Sequence, residues 1–103
     1  MIKVSVLYPY SEGKKFDMKY YCEKHMPMVK HKLGNACTSI AVEQGIAGGA
    51  PGTLPTYVAM GHIYSESVEA FQAAFGPHMA EIMADIPNYT PIQPIIQISE
   101  VKI

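Results

Sequence analysis

The sequence predicts an α+β fold of order β-α-β-β-α-β, a four-stranded antiparallel sheet with both helices on one face. Three observations carry it: four segments alternate apolar and polar residues at period two, two longer segments repeat at helical spacing, and glycine and proline cluster between them. At 103 residues the chain holds one core, so residues 1–103 are read as a single domain.

The first strand spans residues 2–8, where Ile2, Val4, Val6 and Tyr8 alternate with Lys3, Ser5 and Leu7. Pro9 and the turn Ser11-Glu12-Gly13 end it. Asp17 is placed to cap a helix over about residues 18–33, with Phe16 before it and Tyr21 four positions after it as a hydrophobic staple. Gly34 and Asn35 offer left-handed residues at its end. Thr38, Ile40, Val42, Gln44 and Ile46 form the second strand, and five glycines and prolines from Gly48 to Pro55 forbid regular structure before the third, residues 56–64. Ser65 is read as the cap of the second helix, with Val68, Phe71, Gln72 and Phe75 as its buried face. Gly76-Pro77 breaks that helix, and a short one follows over 77–84 with Met79, Ile82, Met83 and Ile86 as its apolar set. Residues 95–103 alternate again and close the sheet. Such an order folds most simply as a split βαβ sandwich with one bare sheet face, and a second copy of the chain is the cheapest cover for it.

Composition narrows function by exclusion. Lys+Arg number 8 against Asp+Glu 9, and arginine is absent, so no basic face is available to read nucleic acid. The start MIKVSVLYPY lacks a basic stretch followed by an unbroken apolar run, and the two cysteines, Cys22 and Cys37, have no paired spacing. The expectation is a cytoplasmic protein with reduced thiols and no membrane partner. A hydrophobic share of 49%, with 7 Met and 7 Tyr, exceeds what one small core hides and points to an oligomer or a lined cavity.

The most informative segment is FDMKYYCEKHMPMV, residues 16–29. Counting at helical spacing from Met18 gives Tyr21, Cys22, His25 and Val29 on one stripe, so an imidazole stands among apolar and polar-tipped groups. Pro27 withholds the donor for the Glu23 carbonyl, which predicts a kink beside His25. Two readings stand: His25 is a general acid or base in a ligand pocket, with Tyr21 donating a hydrogen bond, or it is a core histidine tied to a carbonyl. Tyr57 shares its strand face with Ala59, Gly61 and Ile63, small residues that leave room for a ligand or for close packing. Asp85 in IPNYTP's approach can orient a histidine and Tyr89 can roof a cavity, or the segment simply terminates a helix.

Other chemistries lack their residues. His25 and His31 lie some 240° apart around a helix and no further ligands join them, so no metal site is expected. The glycine-rich segment leads into a strand, so no dinucleotide cofactor is expected either. Cys22 lies three residues before His25, but a helix thiol on an apolar face reads as core filling.

With this topology, FDMKYYCEKHMPMV and the closing IPNYTPIQPIIQISEV resemble the EthD-like family of dimeric α+β barrel proteins, over essentially the whole chain. The resemblance implies a ferredoxin-like subunit in a homodimer, with a cavity between sheet and helices. It implies cofactor-free chemistry on small aromatic or polyketide-like molecules, and an association with oxidative degradation of an ether. Tyr21, His25 and Pro27 match the helix-one motif, and Asp85, Pro87, Asn88 and Tyr89 the stretch before the last strand. The expected site therefore comprises His25 and Tyr21 as catalytic groups, with Met18, Cys22, Val29, Tyr57, Asp85 and Tyr89 around a small, largely apolar ligand. The expected activity is cofactor-free oxidoreductase or acid/base chemistry. A second reading is a carrier that supplies a hydrophobic metabolite to a partner oxidase, and a third is a dimerisation module with a solid core.

Overall fold

The computed structural model describes all 103 residues. Strands β1 (Ile2–Pro9), β2 (Ser39–Gln44), β3 (Tyr57–Ser65) and β4 (Ile95–Glu100) form one sheet in the order β2-β3-β1-β4, with every neighbouring pair antiparallel. The first strand is thus central, flanked by the third and the last, as the split βαβ order requires.

Register decides which side chains meet the helices. Val4 lies opposite Ile63, Val6 opposite Gly61 and Tyr8 opposite Ala59, while Ile96 and Ile98 of β4 pair with Val6 and Val4. Cross-strand partners share a face, and this face joins Met26, Val29, Leu33, Phe71 and Ile82 of the helices in one core. It is therefore the Ala59, Gly61, Ile63 set of β3 that faces inward. The other face carries Lys3, Ser5 and Leu7 opposite Tyr64, His62 and Met60. It is not simply apolar: Ser5 Oγ and His62 Nδ1 are 2.9 Å apart, and His62 Nε2 lies 2.7 Å from Glu43 Oε1.

Helix α1 covers residues 18–33, with Met18–Tyr20 and Met26–Leu33 α-helical. Asp17 caps it by accepting from the Tyr20 N–H at 3.1 Å, and the staple forms, with the Phe16 and Tyr21 rings 5.1 Å apart. At its end Gly34 adopts φ 58°, the left-handed region that glycine enters freely. Its middle departs from expectation. Beside His25, Tyr21–His25 form one π turn, in which Met26 N–H donates to the Tyr21 carbonyl. The wider turn accommodates an extra residue just before Pro27, which has no N–H to place in a regular ladder.

Helix α2 (Val68–Phe75) is capped by Ser67, whose Oγ accepts from Ala70 N–H at 3.1 Å. Ser65 is not the cap: it is paired with Ile2 at the end of β3 and fully buried. Phe71 is the buried residue of α2, and Gln72 is exposed, because the inward stripe continues through Ala74 and Phe75 instead. A 3₁₀ turn (Gly76–His78) precedes α3 (Met79–Asp85), so Pro77 lies in the turn and not in the helix. Of the apolar set expected there, Ile82 is buried and Ile86 packs on the core, while Met79 and Met83 are exposed. No helix is long and apolar enough to cross a membrane.

Candidate functional site

Between the inward sheet face and the helices lies a narrow cavity of about 90 Å³. Val4, Val6 and Ile63 form its floor, Met26 and Val29 of α1 one wall, and Phe71, Phe75 and Ile82 another, with Ile96 and Ile98 of β4 at the side. Among these carbon surfaces the residues that carry polar groups are Tyr8, Tyr21 and His25.

His25 is held from three sides. Its ring stacks on Tyr21 at 5.5 Å and 15°, contacts Tyr89 at 4.7 Å, and places Nδ1 2.9 Å from Asp85 Oδ2. The π turn explains the stack: with i→i−5 bonding the turn is wider, so residues four apart come into line and residues three apart swing out of line. Tyr21 thereby joins His25, and Cys22 is carried to the outside.

Asp85 lies at the end of α3 and collects three donors. Tyr20 Oη donates to Oδ1 at 2.7 Å, Asn88 Nδ2 donates to the same oxygen at 2.9 Å, and His25 takes Oδ2. Burial pushes the carboxyl upward, but the hydrogen bonds from Asn88, His25 and Tyr20 outweigh it and hold Asp85 below the usual carboxylate range. For His25 burial is also the largest influence, and it pushes the imidazole below its ordinary value despite the hydrogen bond to Asp85. At neutral pH the pair is therefore a carboxylate bonded to a neutral imidazole. Burial raises Tyr8, Tyr21 and Tyr89, so all three remain protonated, and the Tyr8 and Tyr89 hydroxyls bond each other at 2.5 Å.

Of the residues expected from sequence, the structure brings Tyr21, His25 and Val29 to the cavity wall, with Asp85 and Tyr89 directly behind His25. It does not bring Cys22, which is exposed. Met18 packs at the core's edge and Tyr57 lies half-buried near the end of β3, neither in the wall. Besides most of the apolar lining, two tyrosines went unread. Tyr20 lies off the stripe when every turn is counted as α-helical, and Tyr8 read only as a strand residue. No group of three or more metal-binding side chains converges.

A split βαβ sheet with its helices over one face defines a ferredoxin-like α+β protein, here with a His–Asp pair backing an apolar cavity. More particularly, the chain belongs to the EthD family: the EthD domain matches residues 11–91. An EthD-like protein from Ralstonia eutropha is 55% identical over 99% of this chain and 92% of its own, with a TM-score of 0.96. An ethyl tert-butyl ether D (EthD) family protein from Bacillus halodurans shares the fold at 20% identity, with 98% of each chain covered and a TM-score of 0.67. HapK from Hahella chejuensis shares it at 12% identity over 98% of this chain and 92% of that one, with a TM-score of 0.64. Among curated proteins no match is found.

Proposed function

We propose that the protein binds a small, largely apolar aromatic or carbonyl metabolite in the cavity beneath α1, and that His25 moves a proton on it without a cofactor. One observation carries this reading: His25 lines an otherwise apolar cavity while its Nδ1 is bonded to the Asp85 carboxylate at 2.9 Å. The carboxylate accepts the Nδ1 proton, which leaves a lone pair on Nε2. When Nε2 takes a proton from the ligand, the resulting imidazolium is stabilised by the adjacent carboxylate. Tyr20 and Asn88 fix the carboxylate, and the Tyr21 and Tyr89 rings fix the imidazole, so the base needs no rearrangement.

The second part of the proposal is a homodimer. The sheet face opposite the helices presents Leu7 and Met60 beside the Ser5, His62 and Glu43 chain, and the same face of a second copy would cover both kinds of group.

The test compares the wild type with His25→Gln against a panel of small aromatic ketones and phenols. Binding is read by calorimetry and proton transfer by solvent deuterium exchange into the ligand's carbon positions. Loss of exchange with retained binding supports the base. Exchange absent in both proteins with binding intact favours a carrier that serves a partner oxidase. Absence of binding to every compound sinks both.

A further inference from the structure

We infer that the ligand presents an O–H proton, as a phenol or an enol does, and that ethers and simple ketones are discriminated against at His25. This rests on the cavity reading above and deepens it. Geometry fixes the polarity of the site. His25 lines the cavity and Asp85 does not, so Nδ1 is turned out of the cavity toward the carboxylate. Nε2 has no protein partner. The only sealed side-chain polar atoms without one are Ser65 Oγ and His78 Nδ1, so Nε2 is reached from outside the protein's own atoms.

What Nε2 can offer follows from Asp85. An ionised carboxylate only accepts, so the Nδ1 proton must lie between the two residues. In a neutral imidazole the other nitrogen is then an acceptor and nothing else. Burial of His25 favours that neutral form. An ether or ketone oxygen would set lone pair against lone pair there, whereas a hydroxyl donates. Apart from His25 the lining residues are hydrophobic or aromatic, so the rest of the ligand is apolar.

The same hydrogen bonds predict how the preference can be inverted. Oδ1 of Asp85 receives two donors, from Tyr20 and Asn88, while Oδ2 receives only His25. In Asp85→Asn the amide oxygen belongs at the two-donor position, and the amide nitrogen then faces Nδ1 as a donor. Nδ1 must accept, the proton moves to Nε2, and the site becomes a donor.

The experiment titrates the wild type and Asp85→Asn with 4-methylphenol, its methyl ether, and 4-methylacetophenone, alongside ¹⁵N spectra of the histidine rings. In the wild type the phenol should bind about tenfold or more tightly than the ether, with His25 as the Nδ1–H tautomer. In Asp85→Asn the order should reverse, with the Nε2–H tautomer. A wild-type protein that binds ether or ketone as well as phenol overturns the inference and leaves the cavity reading standing. A wild-type protein that binds none of the three overturns both. The wild-type comparison needs no variant to fold.

Discussion

The Tyr21 hydroxyl occupies the space a side chain at Gly61 would need. A Cβ there would collide with that oxygen and come within 3.1 Å of Cζ. The ring cannot simply retreat, because Tyr21 is 1% exposed and boxed in by Tyr8, Phe16 and Tyr89. Gly61→Ala should therefore cost about 1–3 kcal/mol by overpacking, read as a drop in Tm. It should also weaken ligand binding, since the ring that must move is the one stacked on His25.

The Tyr8 and Tyr89 hydroxyls bond each other from positions 81 residues apart, both rings nearly inaccessible. Tyr8→Phe or Tyr89→Phe leaves one buried hydroxyl unpaired, at about 1–3 kcal/mol. The double variant removes both and should cost less than the sum of the singles. Denaturant titration of the four proteins measures the coupling, and simple additivity would mean the bond contributes nothing.

Stability should depend on pH through His25 in one direction. Its folded value lies below the ordinary 6.5, so at acid pH the unfolded chain binds a proton that the folded one resists. This contribution is complete above about pH 6.5 and lost as pH falls below it. Asp85, held below its ordinary 3.8, adds stability above that value which is lost only as pH falls through its lower folded value. His25→Gln should flatten the stability profile just below pH 6.5 and weaken, without abolishing, the more acid slope, because Asn88 and Tyr20 still bond Asp85. An unchanged profile would remove His25 from the account.

The two thiols should separate kinetically. Cys22 is exposed, whereas Cys37 is buried, its thiol pushed up chiefly by that burial. A chromogenic disulfide reagent should titrate one thiol at once in the native protein and the second only slowly or after denaturation.

If the open sheet face is shared by two copies, light scattering should give twice the 11.3 kDa chain mass. Leu7→Lys, opposite Met60 and Ile95 on that face, should shift the protein toward monomer. A wild-type monomer at all concentrations would end the dimer proposal.

Element order was legible because it rests on period-two alternation and local caps, whereas alternation splits β3 into two faces without saying which is inward, and only its pairing with β1 decides for Ala59, Gly61 and Ile63. Asp17 and Gly34 act where local chemistry places them. Ser65 and Ser67 could not be told apart by propensity, since long-range pairing of Ser65 with Ile2 is what extends β3 past Tyr64. Cys22 was misplaced because a constant helical period cannot anticipate a π turn. The His25–Asp85 pair spans 60 positions, so residue type could nominate both members but no local pattern could join them. Tyr20 fell to both causes at once.

Mechanically, α1 is two short rods coupled by a joint. Across Tyr21–His25 the ladder changes step, and Pro27 contributes no amide to tighten it again. Amide hydrogen exchange should divide the helix into two separately protected blocks that meet at His25. The change of step thus falls on a residue that lines the cavity, so the boundary between the two blocks is also a point of the cavity wall.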